Sequence, residues 1–216
     1  MRPVLPPSTM TSHGLRRRQA VTAVLVAPAL CLVSPLQAAS GLRPTPAQTE
    51  GPFYPLVLPQ DADYDLLRNG ALSYPEGQPV WLAGTVSDLA GRPVVGAQVE
   101  IWQCDHGGHY HHPGDGDRAD RRFQGFGRVT VAADGGYRFR AIRPFPYSGR
   151  TPHIHLKVRL GARELLTTQI YVAGDPGNPR DFLWRSLGVA ERDALTVTFA
   201  PGAEGLQARF PIVVAA

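Results

Sequence analysis

Short runs in which apolar and polar residues alternate make up most of the chain from Val80 onward. Representative runs read VWLAGTVSD, AQVEIWQCD, PHIHLKVRL, ELLTTQIYVAG and LTVTFAP, and residues that favour turns separate them. Alternation with a period of two turns one set of side chains toward a core, as in half-buried β-strands. Helical periodicity is almost absent, with hints only in PRDFLWRSLG and AERDAL. The pattern predicts an all-β domain over residues 80–216, either a two-sheet β-sandwich or a barrel.

One turn signal within this domain is especially strong. Asp134, Gly135 and Gly136 lie between the alternating runs GRVTV and YRFRAI. Asp-Gly and Gly-Gly pairs in such a position are typical of tight turns between paired antiparallel strands. We therefore expect a β-hairpin centred on these three residues.

Residues 40–79 differ in composition from the segment that follows them. They are rich in proline and glycine and show little periodicity. This composition predicts an extended N-terminal arm, which either packs over a larger body or serves as a linker. The roughly 177 residues after position 39 are enough to bury one core, so a single β domain is expected.

The first 39 residues have the layout of a secretory signal peptide. Arginines at Arg16, Arg17 and Arg18 precede an apolar run that ends in small residues. The consecutive arginines also fit the twin-arginine export route. The apolar run is short for a bilayer and is interrupted by Pro28 and Pro35, so no permanent membrane span is expected. The sequence thus predicts an exported protein, either periplasmic or secreted.

Removal of this leader changes the charge balance. The leader holds four arginines and no acidic residue, so the remaining residues contain 18 basic and 18 acidic side chains. A balanced charge gives no indication of a nucleic acid or an anionic surface as partner. Cys104 is the only cysteine after the leader, which excludes an intrachain disulfide in the mature chain. We expect Cys104 and Trp102 to be buried core side chains.

The clearest candidate for chemistry is the His-x-His pair in PHIHLKV. On a strand, His153 and His155 share one face while Ile154 points to the other, toward the core. Two imidazoles at this spacing can reach one ion, although a surface pair or a hydrogen-bonded pair has the same pattern. A sulfur-rich site is excluded because Cys104 stands alone. The other ligands would be carboxylates, further histidines or tyrosines.

A second candidate is the glycine-rich loop CDHGGHYHHPGDGD. It contains four histidines, which either form a solvated loop or bind zinc or copper adventitiously: His106, His109, His111 and His112. Gly107 and Gly108 allow the backbone to bend and turn Tyr110 inward. A tyrosine with its free pKa of about 10 is a poor ligand, and a highly charged cation stabilises the phenolate. Tyrosine ligation would therefore indicate a hard ion such as ferric iron.

Four motifs, taken in order, resemble the intradiol ring-cleavage dioxygenases. They are TEGPFYP (residues 49–55), the segment of residues 84–110 that includes GRPVVGAQVEIWQCD, RPFPYSGRTPHIH (143–155) and TTQIYVAGDP (167–176). The resemblance is particularly to the catalytic core of protocatechuate 3,4-dioxygenase subunits and their exported relatives. It covers roughly residues 45–180. It implies a prealbumin-like two-sheet β-sandwich with long loops.

The resemblance also implies a site and an activity. The family binds one non-haem ferric ion, Fe(3+), and the matching ligand positions in this chain are Tyr110, Tyr147, His153 and His155. Tyr147 matches the tyrosine that leaves the metal when a catechol binds. Arg150 and Gln169 match residues beside the substrate ring, and Tyr54 would line the mouth of the pocket. The implied reaction cleaves a catechol-type ring with O2 to a cis,cis-muconate-type diacid.

The chain departs from the family pattern in ways that leave its substrate open. Ser148 and Gly149 follow the second ligand tyrosine, where protocatechuate enzymes typically carry an aromatic residue. The helical N-terminal dimerisation segment of the catechol and hydroxyquinol branches is not seen, which disfavours those branches. The sequence does not determine the oligomeric state, and it is compatible with a homo-oligomer.

Two alternatives from other classes remain at this stage. GTVSDLAGRPVVGAQVEIW would look the same in a non-catalytic secreted β-sandwich binding module. A cupin-like metalloenzyme would also use a His-x-His pair. The discriminating feature is tyrosine, because neither alternative requires both Tyr110 and Tyr147 in these contexts.

Overall fold

The computed structural model describes residues 41–216. The predicted leader, residues 1–39, lies outside the described residues. In chain order the strands are β1 (Arg68–Asn69), β2 (Leu72–Ser73), β3 (Pro79–Asp88), β4 (Gln98–Trp102), β5 (Phe126–Thr130), β6 (Gly136–Ile142), β7 (His153–Leu160), β8 (Arg163–Val172), β9 (Thr196–Val197), β10 (Ala200–Gly202), β11 (Gly205–Arg209) and β12 (Ile212–Val214). The helices are α1 (Phe182–Ser186) and α2 (Val189–Leu195), and 3₁₀ turns span Pro113–Asp115 and Asn178–Arg180.

The longer strands form two five-stranded sheets. In the first sheet, β3 pairs with β6 on one edge and with β11 and β12 on the other, and β10 extends it beyond β11. The second sheet has the order β5-β4-β7-β8-β9. β1 and β2 form a separate small ribbon. The prediction of an all-β, two-sheet sandwich is confirmed, and the two short helices lie between β8 and β9 in the chain.

The core lies between the two sheets and follows the alternation seen in the sequence. In β3 the buried side chains are Val80, Leu82 and Val86, each on the inner face. In β7 the core is contacted by Ile154, and Leu156 and Val158 follow at the same period. Burial of such side chains stabilises the fold by about 1.5–3 kcal/mol each relative to leaving them exposed.

The second sheet is buried on its outer face as well, and that face is largely polar. Register places Trp102, His155 and Gln169 side by side on β4, β7 and β8, with Glu100 opposite Lys157 in a neighbouring row. All five are nearly inaccessible to solvent. Buried polar side chains at this density mark a functional face, since ordinary outer faces of sandwiches are solvated.

The irregular segment ahead of β1 covers this polar face. The amide of Gln48 donates to the carbonyl of Thr167 at 2.9 Å, and the Thr168 hydroxyl donates to the carbonyl of Pro46 at 2.7 Å. Further along, the Glu50 carboxylate pairs with the ammonium group of Lys157. These contacts fix the segment directly over the second sheet, where it closes the space above β7 and β8.

The predicted hairpin at Asp134–Gly136 is wrong. The strands on either side of it belong to different sheets, because β5 pairs with β4 while β6 pairs with β3. The turn itself is tight, and Gly135 adopts a φ of 82°. Its strong local signal identifies a turn, while strand pairing is decided by the packing of the two sheets. Within residues 41–216, no helix has the length and apolar character needed to cross a membrane.

Candidate metal centre

Two histidines of β7 form the base of the candidate site. His153 and His155 project from the outer face of the second sheet, and Ile154 between them faces the core, as predicted. The two Nε2 atoms lie 3.2 Å apart. Trp102 on β4 stacks flat against the ring of His155, with ring centroids 4.8 Å apart, so this imidazole has little freedom to turn. Trp102 therefore supports the site and does not belong to the inner core.

The structure brings both predicted tyrosines to the same place. The rings of Tyr110 and Tyr147 lie edge to face with centroids 4.9 Å apart. Tyr147 lies 5.4 Å from His153, and Tyr110 lies 6.0 Å from His155, between ring centroids. Four side chains that are up to 45 positions apart in the sequence thus surround one small volume. That clustering is the first requirement for a shared metal ion.

Burial favours the neutral form of both histidines, the form in which an imidazole can bind a metal. His153 Nδ1 donates to the carbonyl of Thr151 at 2.7 Å, which leaves its Nε2 lone pair directed toward His155. Burial, assisted by the charge of Arg150, lowers the pKa of His153 to about 4. Burial and the neighbouring His153 hold the pKa of His155 well below its ordinary value. Neutral imidazoles oriented by a backbone carbonyl are the usual metal ligands.

The tyrosines fit a strongly charged cation. Tyr110 is 2% exposed, and its hydroxyl is buried without a hydrogen-bond partner among residues 41–216. Burial raises the pKa of Tyr110 well above its ordinary value. Burial also raises the pKa of the half-buried Tyr147, although the charge of Arg150 acts in the opposite direction. A buried phenol ionises only beside a strong positive charge, so this donor set of two phenols and two imidazoles suits a hard, highly charged metal ion.

A tight turn holds Tyr147 and Arg150 next to each other. The Arg150 amide donates to the Tyr147 carbonyl at 2.7 Å. The central residues Ser148 and Gly149 have φ values of 42° and 77°, both in the left-handed region, which is the signature of a type I′ turn. Ser148 is strained there, as is usual for a residue with a side chain. The positive φ of the second central residue explains why a glycine stands at position 149.

Arg150 and Gln169, both predicted beside the substrate, contact each other. Arg150 Nη2 donates to Gln169 Oε1 at 2.7 Å. Gln169 Nε2 in turn donates to the carbonyl of Thr49 at 3.0 Å, which ties β8 to the N-terminal segment. Asp181, which was not predicted from the sequence, accepts from Arg150 Nε at 2.7 Å through its carboxylate. The available signal was its position just ahead of FLWRS, where an aspartate is a typical helix N-cap.

The motif TEGPFYP closes the site from above. Phe53 stacks on Tyr110 with ring centroids 4.7 Å apart. Tyr54, expected at the pocket mouth, instead donates its hydroxyl to the buried carboxylate of Glu100 at 2.8 Å. The ammonium group of Lys157 lies 4.0 Å from the centroid of the Tyr54 ring. Tyr54 therefore anchors the segment to the sheet.

The four histidines of the glycine-rich loop do not gather into a second metal site. Each has a different neighbour in the protein: His106 packs on Phe145, His109 Nδ1 lies 3.2 Å from Asp115, His111 Nε2 lies 2.6 Å from the carbonyl of Phe123, and His112 Nδ1 accepts from the Gly114 amide. In residues 41–216 no group of three or more histidine, cysteine, aspartate or glutamate side chains could hold a metal ion. From this loop, only Tyr110 joins the candidate centre.

Gly108 and Cys104 support that tyrosine. Gly108 has a φ of 79°, and a Cβ there would lie 3.0 Å from the carbonyl of Pro146. Only glycine permits this close approach of the two loops. Cys104 is buried as predicted, and its Sγ lies 3.3 Å from the carbonyl of Phe145.

An open cleft of about 580 Å³ adjoins the centre on the side of Tyr147 and Arg150. Its walls are residues 146–152, residues 175–177 and Arg180. A Cβ at Gly149 would meet nothing within 4 Å, so the turn leaves this space free. Clefts of about 300–1,000 Å³ accommodate small organic ligands. Tyr147 is the member of the cluster that lines this cleft, so a small ligand in the cleft would meet the cluster at Tyr147.

The fold and these side chains define an all-β protein with a buried tyrosine–histidine cluster beside an open cleft. A family model described as dioxygenase matches residues 49–215. The hydroxyquinol 1,2-dioxygenase of Corynebacterium glutamicum is 34% identical over 150 residues, which are 61% of this chain and 47% of the relative. The protocatechuate 3,4-dioxygenase beta chain of Burkholderia cepacia is 35% identical over 151 residues, which are 64% of this chain and 63% of the relative.

A solved structure of a dioxygenase domain is also similar to this chain. The dioxygenase domain of a dioxygenase carbohydrate-binding protein fusion from Streptomyces sp. SirexAA-E is 32% identical, with a TM-score of 0.63. The match covers 79% of this chain and 97% of that domain. The chain belongs to the intradiol ring-cleavage dioxygenase family. It spans about half the length of several of the curated relatives that it matches.

Proposed function

We propose that this protein is an Fe(3+)-dependent intradiol dioxygenase that cleaves a catechol-type aromatic ring with O2 to a cis,cis-muconate-type diacid. The observation that carries the proposal is the cluster of one buried phenol, one half-buried phenol and two buried imidazoles beside an open cleft. Tyr110, Tyr147, His153 and His155 would hold the ferric ion. When bound, that ion makes a chelated catechol reactive toward O2.

Tyr147 is suited to accept a proton from the substrate. It is half-buried at the wall of the cleft, whereas Tyr110 is nearly inaccessible. The two tyrosines would therefore take different roles, with Tyr110 as a fixed ligand and Tyr147 as one that a substrate could displace. A phenolate released from a cation is a base, because its ordinary pKa is about 10. Tyr147 would hold the proton at its hydroxyl oxygen while the substrate is bound.

Arg150 is suited to stabilise negative charge on the bound ring. Its guanidinium lies in the same cleft wall as Tyr147 and is fixed by Asp181 and Gln169. A charge that is already oriented requires no rearrangement when the substrate becomes anionic, which is the main source of electrostatic catalysis. Gln169 contributes by holding the Nη2 end of Arg150.

The proposed substrate class is a catechol-type ring. Hydroxyquinol and protocatechuate enzymes match the chain at nearly equal identity, 34% and 35%. The open space at Ser148 and Gly149 favours a ring with a substituent directed into the cleft. The family match gives no support to the alternatives of a binding module or a cupin-like enzyme.

We also propose that the chain acts after export. The support is the order of basic, apolar and small residues in positions 1–39. Expression with this leader fused to a reporter tests the proposal, since a reporter retained in the cytoplasm would contradict it.

Oxygen incorporation tests the proposed reaction. Iron-loaded protein is supplied with catechol, protocatechuate, hydroxyquinol and substituted catechols under ¹⁸O₂, and products are identified by mass spectrometry. The proposal predicts one diacid that carries both labelled atoms for at least one of these compounds. Cleavage of any ring bond other than the one between the two hydroxyl-bearing carbons would refute the proposal. So would the absence of oxygen uptake with every compound. Arg150→Gln should lower the yield of this diacid, because Arg150 lines the cleft. Arg185→Gln is the matched control and should leave the yield unchanged, because Arg185 lies at the end of α1 and does not line the cleft.

A further inference from the structure

The carboxylate of Asp181 is fully engaged next to the candidate centre. Asp181 is 1% exposed. Its Oδ2 accepts from Arg150 Nε at 2.7 Å and from the Thr151 amide at 2.9 Å. Its Oδ1 accepts from the amides of Leu183 and Trp184 at 2.9 and 3.0 Å, which caps helix α1. One carboxylate thus connects the turn that precedes β7 with the helix that follows β8.

The two groups that donate to Oδ2, the Arg150 guanidinium and the Thr151 amide, belong to residues that also contact Gln169 and His153. Arg150 continues to Gln169 through a second hydrogen bond of 2.7 Å. Thr151, whose amide is fixed by Asp181, accepts at its carbonyl from His153 Nδ1 at 2.7 Å. The same acidic side chain therefore acts on the guanidinium in the cleft wall and, through one backbone carbonyl, on the ring of a proposed metal ligand.

Helix capping accounts for only half of these contacts. An N-cap needs one side-chain oxygen, and serine, threonine or asparagine supplies it about as well as aspartate. Oδ2 is not required for the cap, yet it meets a buried cation and an amide. Burial of this ion pair carries a desolvation cost that the hydrogen bonds of both partners must offset. Two of the five N–H donors of Arg150 are used by Asp181 and Gln169, so the guanidinium is held along one side.

We propose that Asp181 is a positioning residue of the ring-cleavage site. It holds Arg150 in the orientation that faces the substrate and, through Thr151, fixes the ring of His153. This inference rests on the proposed function above. Removal of such an outer partner typically lowers activity or metal affinity by a factor of about 10–100.

Asp181→Asn tests the inference with the least disturbance. The amide oxygen can still cap α1, but the charge opposite Arg150 is lost. Asp181→Ser is a second variant that keeps the cap and removes the group that reaches Arg150. Asp88→Asn is the matched control, because Asp88 also accepts from an arginine Nε at 2.7 Å and from backbone amides, at a distant turn. Thermal unfolding of each variant checks that the fold is kept.

A double-mutant cycle gives the first readout. We expect Asp181→Asn to lower kcat/KM about 10–100-fold for the catechol that the wild type cleaves most efficiently. The kcat/KM of Asp88→Asn should stay within about twofold of the wild-type value. Because Asp181 acts in part through Arg150, the loss in the double variant with Arg150→Gln should be smaller than the product of the two single losses. Full activity of Asp181→Asn, or losses that multiply in the double variant, would overturn the inference.

Iron retention gives a second readout that is independent of turnover. Iron-loaded protein is mixed with a chelator, and metal release is followed in wild type, Asp181→Asn and Asp88→Asn. Loosening of His153 predicts about tenfold faster release in Asp181→Asn only. Equal release rates in all three proteins would contradict the link to His153. Inactive wild type would refute the proposed function, whereas this comparison would still decide the role of Asp181.

Discussion

Gly51 determines how closely the N-terminal segment can approach the candidate centre. Its φ is 75°, and a Cβ at this position would lie 3.1 Å from Cε1 of His155. Trp102 stacks flat against the imidazole, which leaves it little room to move. The glycine of TEGPFYP is thus required for both backbone conformation and contact.

Gly51→Ala is expected to destabilise the fold by about 2 kcal/mol, roughly half from the left-handed backbone and the remainder from the contact. It should also weaken metal binding by displacing His155. Gly70→Ala is the control, because Gly70 has a φ of 58° with no atom within 4 Å of a Cβ. Urea unfolding measures both variants. Equal losses would show that the contact with His155 contributes nothing.

Glu100 is the buried acidic group that anchors the covering segment. Its carboxylate is inaccessible to solvent, pairs with Arg128 at 2.7 Å and accepts from the Tyr54 hydroxyl. Burial and this hydrogen bond raise the pKa of Tyr54 to about 12, so Tyr54 remains a donor.

Glu100→Gln should lower the free energy of unfolding by about 2 kcal/mol, since it leaves the half-buried Arg128 without a charged partner. Glu204→Gln removes an exposed partner of Arg138 and should change stability by less than about 1 kcal/mol. Urea midpoints at unchanged slope provide the comparison. A Glu100→Gln variant as stable as Glu204→Gln would refute the anchoring role.

At the scale of elements, the type I′ turn of residues 147–150 links Tyr147, a proposed ligand, to Arg150, which is proposed to contact the substrate. Ser148→Val should distort it, because a β-branched residue disfavours positive φ. We expect a loss of about 1–2 kcal/mol and a marked drop in kcat/KM. Ser148→Gly should retain activity and stability, since glycine adopts this φ without strain. Full activity of the valine variant would show that the turn geometry is not needed.

The elements also show what the sequence could and could not predict. Alternation in PHIHLKV was sufficient to place His153 and His155 on one face and Ile154 on the other. The turn at Asp134–Gly136 was predicted, but its hairpin was wrong, because a turn signal does not specify which sheet each strand joins. Asp181 was missed since its link to Arg150 joins positions 31 apart, and no local pattern reports that contact.

At the scale of the whole molecule, the second sheet has two buried faces with different roles. Its inner face forms the hydrophobic core, and its outer face carries the candidate centre beneath the segment of residues 46–54. Sequence periodicity predicts the first face well. The second depends on cross-strand register and on the covering segment, so its tyrosines could be assigned only through resemblance to a family.

The visible absorption spectrum of the iron-loaded protein tests the central claim most directly. Coordination by Tyr110 and Tyr147 predicts a reddish-brown protein with a tyrosinate-to-iron charge-transfer band that shifts when a catechol is added. Tyr110→Phe and Tyr147→Phe should each weaken the band. A colourless protein that carries stoichiometric zinc, or a band unchanged in both variants, would contradict the account.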